Sequence, residues 1–298
     1  MRSSTRLCIA GKNQVAVDIL DQALALPELE ITVLPVADDC GSDGWQPSLR
    51  CAARCAGVKI VTLDWAMEQP DITFLSLEYD RLIAPARFQS KRLFNIHFSL
   101  LPHYRGCFTG IWPILDGQVE HGVTLHWIDA GMDTGPIIDQ SSFALDEMTA
   151  RQAYFRCMDL GRDLVAAWLE RLLTGNPPAI AQDHEVATSF RRKDLDFRLA
   201  EIGTDSTVEQ TLRRIRAFTF AEYQMPTLNG RPIISATRVN EAGSGPSAAM
   251  DQLTGPVSRL SLSDGMIDVR ISEDEAVISH PNFERDFRST SRLLGRRA

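Results

Sequence analysis

The chain has 298 residues, of which 44% are hydrophobic and 23% charged, with a formal net charge of -8; this is globular composition at a length that allows one sizeable or two modest domains. The acidic balance argues against a surface built for non-specific phosphate binding, so nucleic acid is not the expected partner. No run of about 18 apolar residues is present, and Gly11 and Lys12 interrupt the first apolar stretch too early for a secretory core, so a cytoplasmic protein with no membrane partner is expected.

In chain order, residues 6–10 read as a strand, Gly11-Lys12-Asn13 as a tight turn and residues 15–26 as an amphipathic helix. A helix N-terminus offers free N–H groups and the positive end of a dipole, and Lys12 adds charge. Gly11, Lys12 and Asn13 are therefore candidates for contact with an anionic substrate, against the plainer reading that Gly11 makes the turn and Lys12 is solvated. The turn is not G-x-G-x-x-G, so the dinucleotide fingerprint is missing. Strands are expected over 31–36, 58–63 and 72–77, with a polar loop over 37–47 and a helix over 48–56. Strands alternating with helices predict an α/β fold with a Rossmann-like, mostly parallel sheet.

Leu93-Phe94-Asn95-Ile96-His97 reads as a buried strand on which Asn95 and His97 alternate onto one face. The following SLLPHYRG breaks the pattern at Pro102 and Gly106, so a loop leaves the carboxyl end of the strand, where open α/β sheets place ligands. A further strand over 122–129 ends in an Asp- and Gly-rich loop carrying Asp133. Singly, such an Asn is a turn former, such a His a structural side chain and such an Asp loop chemistry. Together, an amide, an imidazole and a carboxylate expected at one rim have what acid–base chemistry requires. A nucleophilic Ser99 would need a G-x-S-x-G elbow, which is missing. The cysteines Cys8, Cys40, Cys51, Cys55, Cys107 and Cys157 form no C-x-x-C and no Cys/His cluster, so they are read as packing residues and no metal is expected.

A strand over 137–145 precedes a helix capped by Asp146 or Thr149, running to about Leu173 and stopped by Gly175-Asn176-Pro177-Pro178, with Trp168 in the core. The domain boundary is placed near His184, giving a catalytic domain over 1–185 and a smaller mixed α+β domain over 186–298. Phe190-Arg191-Arg192-Lys193-Asp194 is a short basic cluster. Ser206-Thr207-Val208-Glu209 reads as a capping box, and Asn229-Gly230 and Asp264-Gly265 as hairpin signals. Residues 240–251 read as a linker and 283–298 as an irregular basic tail.

The motifs N-x-H-x-S-L-L-P-x-Y-x-G, from Asn95 to Gly106, and H-x-x-D-x-G-x-D-T-G, from His126 to Gly135, resemble those of the folate-dependent formyltransferases. The resemblance implies that Asn95, His97 and Asp133 are catalytic and that N10-formyltetrahydrofolate is the formyl donor. It also implies that Arg81, Leu82 and Ile83 border the pterin ring, with Ile128 and Ala130 across the pocket. Gly11-Lys12-Asn13, FLSLEYDRLI, FTGIWPILDG and IRAFTFAEYQMPTLNGRPI look most like the nucleotide-sugar N-formyltransferases. The implied acceptor is then the amino group of a nucleotide-linked amino sugar, and a homodimer is implied with it. A formyltransferase acting on methionyl-tRNA or hydroxyornithine, or a non-catalytic folate or nucleotide-sugar binding module, are the alternatives.

Overall fold

The computed structural model describes residues 5–239 and 255–272; the linker expected over 240–251 and the basic tail over 283–298 lie outside the described residues. The chain divides into two compact units. One takes Met1–Thr109, Glu120–Ala144 and Tyr154–Arg192, the other Gly110–Val119, Leu145–Ala153 and Lys193–Ala298. The first unit thus reaches past residue 185, and two short segments from inside the expected first domain fall to the second. No change in composition marks those segments, because their assignment rests on contacts between residues distant in sequence.

The first unit opens with β1 (Thr5–Gly11), α1 (Asn13–Leu24), β2 (Leu29–Pro35), α2 (Leu49–Cys55), β3 (Lys59–Ile60), α3 (Leu63–Met67), β4 (Ile72–Leu77) and β5 (Leu93–His97). Every residue of β4 is buried, as its unbroken ITFLSL run demands of a central parallel strand. The expected strand over 58–63 shrinks to two residues, because the Thr62 side chain accepts from the Trp65 N–H at 3.2 Å and starts a helix instead.

Next come β6 (Arg105–Gly106), α4 (Trp112–Leu115), β7 (Glu120–Trp127), β8 (Ile137–Ala144), α5 (Ala150–Thr174) and β9 (Ser189–Phe190). The seven-stranded sheet has the order β3-β2-β1-β4-β5-β7-β8, parallel through β5 and antiparallel over its last two pairings. That reversal corrects the expected geometry of the site. Asn95 pairs with His126 and His97 with Thr124, so β7 ends beside the start of β5. The loop carrying Asp133 therefore reaches His97 by folding back across the sheet face.

His121 on β7 is buried, its ring 5.6 Å from that of Phe143 and its Nε2 without a hydrogen-bond partner. Burial, and then the charge of His97, pushes its pKa down to about 4. A folded pKa below the unfolded value near 6.5 means that protonation favours the unfolded chain. This contribution to stability is therefore complete above about pH 6.5 and lost as pH falls toward 4, to the extent of roughly 3 kcal/mol. His121→Leu should flatten the acid limb of stability in urea melts at pH 7, 5 and 4; an unaltered limb would assign the loss to other groups.

In the second unit, α6 (Val208–Phe218) is followed by β10 (Thr227–Leu228), β11 (Arg231–Arg238), β12 (Val257–Leu262) and β13 (Gly265–Ile271). The capping box stands one residue later than expected. Thr207 Oγ1 accepts from the Gln210 N–H at 3.2 Å and Gln210 Oε1 from the Thr207 N–H at 3.1 Å, while Glu209 turns to Arg213 at 2.8 Å. Asn229 and Gly230, with φ of 51° and 74°, form the primed turn that joins β10 to β11. Val208 and Ile215 of α6 share a core with Leu228, Ile233, Ile267 and Val269 of the antiparallel sheet β10-β11-β13-β12. Among the described residues no helix is long and apolar enough to cross a membrane.

Candidate active site

Strand alternation on β5 turns Asn95 and His97 to one face, and the antiparallel register of β7 adds His126 there. Asn95 Nδ2 lies 3.0 Å from His126 Nε2, and His126 Nδ1 lies 2.7 Å from the Trp127 carbonyl. A carbonyl only accepts, so Nδ1 carries the proton. In the neutral ring Nε2 then accepts, and the Asn95 amide is fixed with its NH2 group toward His126. Burial lowers the pKa of His126 against the opposing charge of Asp133, which keeps the ring in that neutral form.

The same reasoning orients His97. Its Nε2 lies 2.9 Å from the Tyr104 carbonyl and so donates, which turns Nδ1 toward Asp133 Oδ2 at 3.6 Å. The other oxygen, Asp133 Oδ1, lies 3.7 Å from His126 Nε2. Asn95, His97 and Asp133 are therefore brought together as a cluster, with His126 as a fourth member.

Asp133 sits at φ 56°, a left-handed conformation that Asp tolerates better than most side chains. Its position is fixed from three sides. The Gly106 N–H donates to Oδ2 at 2.9 Å. Gln182 Nε2 donates to the carbonyls of Asp133 at 2.8 Å and Gly135 at 2.7 Å, and its Oε1 accepts from buried Arg105 at 3.0 and 2.6 Å. Asp129 Oδ1 accepts from the Gly131 N–H and Thr134 Oγ1 within the same loop, at 3.1 and 2.6 Å. Gly106 is itself constrained: at φ 94°, a Cβ there would come within 2.2 Å of the Phe190 carbonyl. Gly106→Ala should lower stability by about 1–3 kcal/mol, read as a reduced Tm, and cut turnover by withdrawing the N–H that holds Asp133.

Sequence reasoning passed over His126 and Gln182. His126 lay within a quoted motif, but its tie to Asn95 depends on a strand pairing that no local pattern encodes. Gln182 lies in irregular chain beyond α5 and carries no signal at all.

Ser99 is buried and donates to the His103 carbonyl at 2.8 Å, an unfavourable setting for a nucleophile. Of the three residues of the first turn, Gly11 serves close packing, since a Cβ would stand 1.9 Å from the Leu77 carbonyl. Asn13 is fully buried; its Oδ1 accepts from the Val15 N–H and its Nδ2 donates to Tyr154 OH, both at 3.0 Å. Lys12 is half-buried. Beyond β4, Ile83 is buried in an apolar cluster against which Ile128 packs, whereas Leu82 is 75% exposed and Arg81 and Ala130 also face outward. The N–H groups of Leu82 and Ile83 find no main-chain partner among the described residues. That combination of apolar side chains and unpaired main-chain donors suits a flat heteroaromatic ring.

The chain is thus a Rossmann-like α/β protein with an amide, two imidazoles and a carboxylate gathered on one face of its sheet. It belongs to the formyl transferase family, whose model matches residues 53–167. The crystal structure of WlaRD, a sugar 3N-formyl transferase, in the presence of dTDP and 5-N-formyl-THF is similar at 38% identity and a TM-score of 0.81, covering 91% of this chain and 99% of that one. The N-formyltransferase from Helicobacter canadensis, in complex with folinic acid and dTDP-3-aminofucose, is similar at 36% identity and a TM-score of 0.79, covering 89% and 99%. A methionyl-tRNA formyltransferase from a Cyanothece species is 33% identical over 204 residues, 65% of this chain and 56% of that protein. The chain spans about half the length of the curated relatives it matches.

Proposed function

We propose that the protein transfers a formyl group from N10-formyltetrahydrofolate to the amino group of a dTDP-linked amino sugar. The observation that carries the reading is the convergence of Asn95, His97 and Asp133 on one face of the sheet. Two neighbours at 36–38% identity that were crystallised with a formylated folate and dTDP or a dTDP-amino sugar support the choice of donor and acceptor. Arg81, Leu82 and Ile83 on one side, with Ile128 and Ala130 opposite, would hold the pterin. Gly11 and Lys12 would line the acceptor's side, with Asn13 acting from within to shape the turn.

The donor supplies an activated formyl carbon. As the acceptor amine attacks, negative charge grows on the formyl oxygen, and only groups that bind that charge more tightly than the ground state speed the step. Asn95 donates to that oxygen with the N–H that His126 leaves free. His97 Nδ1, whose lone pair faces Asp133, takes the proton that the amine must shed. The resulting imidazolium lies between the Tyr104 carbonyl and the Asp133 carboxylate, each of which stabilises it, and it gives the proton to N10 of the folate as the formyl C–N10 bond breaks and tetrahydrofolate leaves. Six unpaired cysteine thiols fit the reducing cytoplasm as the setting.

Purified protein should consume N10-formyltetrahydrofolate when given dTDP-amino sugars and yield an N-formylated sugar by mass spectrometry, with no turnover of methionyl-tRNA. Formylation of methionyl-tRNA at a rate that falls steeply with salt would replace this reading with a tRNA-directed one.

A further inference from the structure

At the carboxyl end of β4, Glu78 takes a left-handed backbone, φ 59°, that a long side chain adopts only at a cost. It stands where the chain, having run outward from β1 to β2 and β3, crosses back to β4, which is the reversal point at which open α/β sheets open a ligand crevice. Leu77, the last residue of β4, pairs with Ile96, so Glu78 leaves β4 at the level of His97 on β5.

The hydrogen bonds around Glu78 define which way it is held. Tyr154 OH receives the Asn13 Nδ2 donor at 3.0 Å and the Gln46 Nε2 donor at 2.8 Å. With both acceptor positions used, its own hydrogen must go elsewhere, and Glu78 Oε2 at 3.4 Å is the acceptor. A buried amide and a second amide thus set a hydroxyl, and the hydroxyl steadies one carboxylate oxygen. Among the described residues the other oxygen accepts no hydrogen bond. Of the other acids, Asp133 faces two imidazoles and the Gly106 N–H, Asp129 holds its own loop, Asp39 accepts from Ser48, Gly41 and Arg50, and Asp80, two residues on, is exposed.

We infer that Glu78 is the specificity-determining residue for the acceptor's primary amine, its uncommitted oxygen holding the incoming ammonium at the carboxyl end of β4, the strand next to that of His97; one ammonium proton leaves to solvent to free the attacking lone pair, and His97 takes the second as the C–N bond forms. The inference rests on the formyl-transfer reading and adds to it the feature by which an amino sugar is told from a hydroxy sugar. A hydroxyl in place of the ammonium presents no positive charge, so the carboxylate distinguishes the two by charge rather than by shape.

The test compares binding of dTDP-3-aminofucose with that of dTDP-fucose, by calorimetry on the full chain, for wild type, Glu78→Gln and Tyr154→Phe. Wild type should bind the amino sugar at least about tenfold more tightly. Glu78→Gln should remove that preference while leaving the Kd for dTDP-fucose and for folinic acid within about twofold, a control for folding. Tyr154→Phe, which frees the carboxylate, should reduce the preference in part. Equal wild-type affinity for the two sugars, or an equal loss for both in Glu78→Gln, overturns the inference. Transfer of the formyl group is assayed separately: selective amine binding without transfer would sink the catalytic reading and uphold the role of Glu78.

Discussion

Asp133→Asn should fold, bind folinic acid as the wild type does, and lose about 10³-fold in turnover. The substitution keeps shape and backbone: Asn is among the residues most tolerant of the left-handed φ of 56° found here, and its amide oxygen can still accept from the Gly106 N–H. What changes is the charge beside His97. With the amide oxygen kept on the Gly106 N–H it also stays opposite Nδ1, the NH2 group falls on the His126 side, and the carboxylate that offsets an imidazolium is gone. That loss falls on the proton-transfer step, so kcat should drop while the KM of each substrate moves little. Single-turnover rates with saturating donor and acceptor make the measurement. A variant within about tenfold of wild type would exclude Asp133 as the support of the proton acceptor.

Gln182→Ala should act on the same step more mildly. It leaves Arg105 buried without its amide acceptor and releases the Asp133 and Gly135 carbonyls, so stability and kcat should fall together. Asp133→Asn should lower kcat alone.

The parts of this molecule that were legible in sequence are those governed by local rules. Strands β4 and β5 end where their apolar runs end, the Asn229-Gly230 turn makes its hairpin, and Gly175 closes α5. A strand period of two was enough to put Asn95 and His97 on one face. Illegible parts depended on competition or on distance. Thr62 could extend a strand or cap a helix, and the cap prevailed. Ser206 and Thr207 both offer a capping hydroxyl, and the box formed on Thr207 because Gln210 could reciprocate while Glu209 had Arg213. That β7 runs against β5 follows from a connection through residues 98–119 whose route no periodicity records. Everything that depends on that reversal, including His126 beside Asn95 and the fold-back of the Asp133 loop, was hidden with it.

Asn95→Ala should lower turnover by about 10²-fold or more with donor binding retained, the size of effect that removal of one oxyanion donor produces. The neutral state of His126 leads to a sharper expectation. Because His126 Nε2 accepts from Asn95 Nδ2, the ring fixes which way the amide points, and the remaining N–H is then directed by geometry rather than by chance. His126→Leu would leave the amide free to rotate, so it should reduce kcat by a smaller factor than Asn95→Ala does. If the ring acts through the amide, the double variant Asn95→Ala/His126→Leu should be no slower than Asn95→Ala alone, since there is nothing left to orient. Additive losses in that cycle would give His126 an independent part in the chemistry. The pH profile separates these outcomes further. A ring held neutral by burial contributes no titration to kcat near neutrality, so any ionisation seen there should persist in His126→Leu.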